Sequence, residues 1–235
     1  MEQTELAEEA EVRAEEPARE QPAKRESRAK AVFREHFSAP RLAYMALFTA
    51  LAYAVSFLEF PIFPQANFLK LDFANFFFMI EGFIFGPVEA VVSIGVKELL
   101  SLLDSQTAGV GEIANFIMSF AYVIVPAVGY RFLKGKKWVV VFLAIACAVQ
   151  IGISLLVNRY VNFPFFCKLM GADPVAFFQS LWPFVLYFNI IKSISISIIV
   201  FLVYKPLSRF IKTTSAKFEK RMRRAKGKNA LPPEQ

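Results

Sequence analysis

Long apolar runs alternate with short polar breaks along this chain, and the run lengths set the first expectation. Six apolar segments follow one another at residues 42–60, 72–85, 88–103, 113–133, 138–161 and 182–204. About 20 predominantly apolar residues carry a helix across the hydrocarbon core of a bilayer, so four of the six are long enough to span alone. The second and third are short for a span and contain Glu81, Glu89, Lys97 and Glu98, which fits tilted, kinked or partly interfacial helices. Between the runs lie a proline-containing stretch at 61–71, Gly86-Pro87, the polar DSQTAGVGE, KGKK, and a loop beginning NFPFFCKLMGADP. The pattern predicts an all-α membrane protein, a bundle of six helices.

The sixth run, WPFVLYFNIIKSISISIIVFLVY, carries Asn189 and Lys192 well inside its apolar stretch. A lysine at that depth is expensive unless it faces protein or a wet cavity, so it marks a functional site. The two residues are three apart and share one helix face. Asn115, near the start of the fourth run, and Asn158, near the end of the fifth, are expected at the same side of the membrane. Each amide offers donors and an acceptor, and the lysine adds a charged donor. Such a set suits a planar heterocycle with alternating carbonyl and ring-nitrogen groups better than a bare ion. Aromatic-rich stretches at 60–78 and 163–188 favour a pocket with an apolar body and a few orienting polar groups.

Other intramembrane features read more plainly. Ala46, Ala50 and Ala54 recur every four residues and form a smooth ridge, and small residues let another helix approach closely where lipid supplies no hydrophobic drive. That ridge serves either ordinary packing within the chain or docking of a partner subunit. Glu81 and Glu89 flank the second break and are expected to be wet. Lys97 and Glu98 are sequence neighbours, which do not face each other on a helix, so no pair between them is expected.

Composition supports the bilayer as solvent. Of 235 residues, 56% are hydrophobic and 27 are Phe, far from a soluble domain. The net charge of +7 would suit a nucleic-acid partner, but the basic residues concentrate in breaks and in the C-terminal stretch, where membrane orientation accounts for them. With the N-terminus inside, the inner segments include KGKK and a tail holding ten Lys/Arg from Lys205 to Lys228 against Glu219. The outer loops contain only Lys70 and Lys168 as basic residues in 61–71, 104–112 and 162–183. Both termini are therefore expected in the cytoplasm.

Residues 1–38 hold ten Glu and seven Lys/Arg without an apolar run, and read as a charged cytoplasmic extension, disordered and unlike a signal peptide. The membrane domain is expected over 39–212 and a basic cytoplasmic tail over 213–235. Two cysteines, Cys147 in an apolar segment and Cys167 in a loop, make no metal or disulfide framework. His36 stands without the His, Cys or Asp partners of a metal site. No P-loop, dinucleotide fingerprint, nucleophile elbow or HExxH motif is present, so enzymology is not expected. A chain of this size with no visible inverted repeat fits a binding subunit of a larger machine. An autonomous ion-coupled carrier using Glu98, Lys97 or Lys192 is the alternative.

The segments FPI…FLKLDFANF, FIFGPVEAVVSIGVKELLSLL, GEIANF, VNRYVNFP and FNIIKSISISI resemble the substrate-binding S component of energy-coupling factor (ECF) vitamin transporters, and within it the riboflavin branch. The resemblance runs from about residue 43 to 211. An asparagine near the end of the fifth helix paired with FNIIK in the sixth is the part that points to riboflavin. The resemblance implies a six-helix fold of the S-component type that captures riboflavin from outside, with the first loop closing over it. It implies Asn158, Asn189 and Lys192 on the isoalloxazine edge, with Leu71, Asp72 and Asn115 lining the same pocket. It also implies docking through Ala46, Ala50 and Ala54 on a transmembrane coupling subunit, with two ABC-type ATPases supplying the energy. Riboflavin is then cargo and no cofactor is required. The implied location is the plasma membrane of a bacterium. An S component for folate, pantothenate or a queuosine precursor is the nearer alternative.

Overall fold

The computed structural model describes residues 36–105 and 107–228, with backbone alone at 205 and from 207 onward. The chain divides into two compact units, 1–38 and 39–235, and the second holds the helical bundle. The disorder expected of 1–38 falls on residues that, up to 35, lie outside the described ones. Helix α1 spans Ala39–Ser56, and a short antiparallel hairpin follows, β1 (Phe60–Pro61) with β2 (Lys70–Leu71), pairing Phe60 with Leu71 and Pro61 with Lys70. Then come α2 (Ala74–Ile84), α3 (Pro87–Ser101), α4 (Val110–Phe132) and α5 (Lys136–Val157). A π turn, Asn158–Asn162, joins α5 to α6 (Phe163–Met170), and α7 runs from Pro174 to Lys228.

Because α5, the π turn and α6 continue as one 35-residue rod, six helical rods make the bundle. Three of them are long and apolar enough to cross a membrane: Val110–Phe132, Lys136–Met170 and Pro174–Tyr204. Their outward faces are apolar, with Phe132, Leu156, Tyr187 and Leu202 exposed, as expected where lipid replaces water.

Helix α2 is only 11 residues, about 16 Å at 1.5 Å per residue, too short to cross alone. It has no need to. It packs against α1, α3, α4 and α7, and nine of its residues are buried. Protein surrounds it where lipid surrounds the others. Phe78, Met79, Ile80, Phe83 and Ile84 lie in the main core with Ala52, Ile94, Tyr122, Val123 and Ile196. Gly82 allows the closest approach: a Cβ there would sit 2.8 Å from the Ala127 Cβ of α4 and 3.6 Å from the Ala90 Cβ of α3. Polar atoms buried among the long helices pair across them. The Tyr122 hydroxyl donates to the Ser193 carbonyl at 2.6 Å, and Tyr130 and Tyr204 share a hydrogen bond at 3.2 Å.

Several boundaries differ from those the sequence suggested. The first helix ends at Ser56 rather than running to Phe60, because Phe60 enters the hairpin. The expected loop over 162–183 is mostly helical. Pro164 follows directly on the π turn at the start of α6, and Gly171 at φ 66 ends α6 in the left-handed region. Asp173 then accepts the Val175 and Ala176 N–H groups at 3.0 and 3.3 Å, starting α7 eight residues before Trp182. Cys167, placed in a loop by the sequence reading, is buried on α6. At its other end α7 continues as helix to Lys228.

The carboxylates expected to be wet are not. Glu89 is fully buried and paired with Arg41 at 2.7 Å, tying α3 to α1. Glu81 is fully buried and accepts the Ser93 hydroxyl at 2.7 Å, tying α2 to α3. The turn at Gly86-Pro87 is short enough that the two helices fold these carboxylates inward between them.

The contact at Gly82 gives a packing test. Gly82→Val should cost about 1–3 kcal/mol by overpacking and lower the thermal midpoint of the detergent-solubilised protein. Gly152→Ala, where a Cβ meets nothing within 4 Å, should leave it unchanged.

Candidate functional site

The hairpin, the start of α2, the end of α3, the π turn and the first half of α7 meet at one end of the bundle, the hairpin end. The aromatic layer there is continuous. Phe68 of the hairpin loop packs edge-on to Phe163 of α6, which packs edge-on to Phe177 and Phe178 of α7, and Phe63 does the same with Phe184. Leu71 is buried in this second core with Ala66, Leu69, Val185 and Phe188.

Beneath the aromatic layer lie four charges. Asp72 precedes α2, and its Oδ1 accepts the Ala74 N–H at 2.9 Å, satisfying a free donor of the helix start. Its Oδ2 accepts from Lys192 Nζ at 2.6 Å across 120 residues of sequence. Both side chains are less than one-fifth exposed. Burial alone would raise the Asp72 carboxyl, but the Lys192 ammonium, together with Lys97 and the Ala74 amide, outweighs it and holds the group below the usual carboxylate range. A carboxyl held below its unfolded value contributes stability above that value and loses it as pH falls through the lowered one. The pair thus persists through neutral and mildly acidic solution.

Lys97 and Glu98 are the other two charges. Contrary to the sequence expectation, they pair directly, Nζ to Oε1 at 3.1 Å, and both are buried. The rule that helix neighbours diverge holds for Cβ directions; long side chains at the end of a helix reach around it. The quartet sums to zero charge, which lowers the cost of keeping it out of water.

The carboxamides lie on α5, the π turn and α7. Asn189 is buried, its Nδ2 donates to the Val185 carbonyl at 2.8 Å, and its Oδ1 accepts from Gln150 Nε2 at 3.5 Å. It stands one turn from Lys192 on the same face. Asn158 is buried with its Nδ2 on the Ser154 carbonyl at 2.8 Å, and its Oδ1 accepts from Asn162 Nδ2 at 3.1 Å. Arg159 lies over the Phe178 ring at 5.1 Å, pinning the π turn to α7.

The structure therefore brings Asp72 to Lys192, places Asn189 beside Lys192, and sets Leu71 in the adjoining apolar layer. Asn158 lies about 12 Å further along α5 than the Gln150 that touches Asn189, at 1.5 Å per residue. Asn115, on α4, is exposed, and its side chain makes no hydrogen bond among the described residues. Ala46, Ala50 and Ala54 face outward, while α1 buries Met45, Thr49 and Ala52.

Sequence reasoning passed over Asn75, Gln150 and Asn162. All are buried, and Asn75 Oδ1, Gln150 Oε1, Asn162 Oδ1 and Glu98 Oε2 lack a hydrogen-bond partner among the described residues. A buried polar atom left unpaired costs about 1–3 kcal/mol, so each of these four acceptors has capacity for a further donor. The spacing of Gln150, Ser154, Asn158 and Asn162, every fourth residue, was the available signal. Among the described residues no group of three or more His, Cys, Asp or Glu could hold a metal ion. The hairpin end can thus hold a flat apolar body against phenylalanines and hydrogen-bond its edges with amides, an ammonium and carboxylates.

Comparison with known proteins agrees with this architecture. The chain is 30% identical over 174 residues to the riboflavin transporter RibU of Staphylococcus aureus (strain TCH60), covering 73% of this chain and 92% of that protein. It is 24% identical over 177 residues to the riboflavin transporter FmnP of Bacillus subtilis (strain 168), covering 73% and 93%. A solved structure described as "Structure and mechanism of the S component of a bacterial ECF transporter" superposes with a TM-score of 0.64 at 30% identity, covering 75% of this chain and 99% of that one. The family profile for "ECF transporter, substrate-specific component" matches residues 40–204, and with the bundle and its polar end in place the chain belongs to that family of membrane proteins.

Proposed function

We propose that this chain captures riboflavin at the hairpin end and delivers it for ATP-driven uptake as the S component of an ECF transporter. The observation that carries the reading is the convergence of Lys192, Asp72 and Asn189 beneath an apolar aromatic layer, in a chain whose relatives are named riboflavin transporters.

Isoalloxazine is flat and apolar on its faces, and its pyrimidine edge alternates carbonyls with ring nitrogens. Phenylalanines of the hairpin, α6 and α7 supply the apolar faces, and Asn158, Asn189 and Lys192 supply the edge contacts. Lys192 is engaged by Asp72, so a ligand carbonyl shares the ammonium with that carboxylate rather than meeting it bare. Lys192 has three donors and accommodates both. Asp72 and Leu71 end the hairpin, so the loop that closes over the ligand is tied to the residue that binds it. Asn115 lines the approach from α4. Riboflavin is cargo in this scheme and no resident cofactor is invoked.

The outward ridge of Ala46, Ala50 and Ala54 is the docking face for the transmembrane coupling subunit, and ATP hydrolysis belongs to two ABC-type ATPase partners. The distribution of Lys and Arg supports the hairpin end outside and both termini in the cytoplasm, and the relatives' organisms support a bacterial cell.

Two experiments test the reading. Riboflavin titrated into the purified, detergent-solubilised chain should lose its fluorescence on binding. Lys192→Ala should weaken binding by about tenfold or more, the loss of a charged hydrogen bond; wild-type affinity in that variant counts against the site. Ala50→Trp should abolish copurification with the coupling subunit on coexpression while riboflavin binding stays unchanged. A complex that survives the tryptophan moves the docking face elsewhere.

A further inference from the structure

Gln150, Ser154, Asn158 and Asn162 form one buried polar stripe along α5 and the π turn. A regular α-helix turns about 100° per residue, so each step of four residues drifts by about 40° and such a stripe would wind off its face after three steps. The π turn at Asn158–Asn162 carries more residues per turn, so the advance per residue falls and the last step turns back. The 3.1 Å bond from Asn162 Nδ2 to Asn158 Oδ1 joins the two across this turn.

Within the stripe the hydrogen-bond accounts of the members differ. Asn158 is engaged on both polar atoms, by the Ser154 carbonyl and by Asn162. Gln150 spends its amide on Asn189, at 3.5 Å, and Asn162 spends its own on Asn158. Their carbonyl oxygens, Gln150 Oε1 and Asn162 Oδ1, are buried and have no partner among the described residues. The unsatisfied acceptors therefore stand at the two ends of the stripe, on either side of the asparagine assigned to the ligand.

We propose that Gln150 and Asn162 are specificity-determining residues of the same site, reading the hydrogen-bonding edge and hydroxyls of the bound flavin together with Asn158. Buried acceptors without partners select a guest that brings donors to both ends of the stripe, as an imide N–H and a hydroxylated side chain do. This assignment rests on the riboflavin reading above and adds the residues that tell riboflavin from flat heterocycles of similar size.

The test compares riboflavin with lumichrome, which keeps the three-ring heterocycle but lacks the polyhydroxyl chain, and with N3-methylriboflavin, which lacks the imide donor. Each is titrated into the full-length detergent-solubilised chain, followed by fluorescence. The unsubstituted chain should bind riboflavin at least about tenfold more tightly than one of the two analogues. Gln150→Met, close in length and without the amide, and Asn162→Leu should each weaken riboflavin and narrow the preference over the analogue to below about threefold. Should Gln150→Met not give a monodisperse protein, Gln150→Glu and Asn162→Ser are read the same way. Wild-type preference kept in both positions' variants overturns the inference alone. Failure of the unsubstituted chain to bind riboflavin sinks the underlying reading, and this one with it.

Discussion

The contact on which the hairpin end depends is the 2.6 Å ion pair between Asp72 and Lys192. It joins the residue that opens α2 to the first half of α7, 120 positions away, and fixes where the hairpin sits over the bundle. Neither charge is stable alone in that setting. Removing one partner of a buried pair costs more than the pair itself gains, on the order of 3–5 kcal/mol, because the survivor stays in low dielectric uncompensated. The same carboxylate caps the first turn of α2 through Ala74, so the start of the helix, the position of the loop and the state of the lysine are set together.

Charge is handled differently at the two ends of the bundle. Near the turn at Gly86 it is spent on architecture. Arg41 with Glu89 and Ser93 with Glu81 staple α1, α2 and α3 together, and the hydroxyls of Tyr130 and Tyr204 close α4 against α7. At the hairpin end the pairs are joined by amides and by polar atoms with spare capacity. Both ends keep buried polar atoms with spare capacity, Glu81 Oε2 at the one and Gln150 Oε1 at the other; they differ in that the hairpin end sets its ion pairs beside buried amides.

Much of this was legible in the sequence because a bilayer imposes long apolar runs and makes every interruption informative. Lys192 and Asn189 stood out for that reason, and so did the six segments. What stayed hidden depended on contacts between elements. Glu81 and Glu89 flank a turn and look solvated, yet the short Gly86-Pro87 connection folds α2 and α3 so tightly that both are sealed inside. Lys97 and Glu98 diverge at their Cβ atoms and meet at their tips. The helix over 163–170 lay within a stretch read as loop, although Pro164, Gly171 and Asp173-Pro174 are ordinary start and stop signals. Gln150 and Asn162 were missed because single amides in apolar runs draw less attention than a lysine, and the register that aligns them includes a π turn that no apolar periodicity reveals.

Helix α2 has no residue fully exposed to its surroundings. Sheathed by four neighbours, it feels neither the thickness of the bilayer nor the chemistry of the lipids, and the mismatch forces that tilt peripheral helices reach it only after the whole bundle has moved. The carboxylate at its head is therefore carried like an instrument on a gimbal, steady in the frame of Lys192 while the outer helices adjust to whatever membrane they meet.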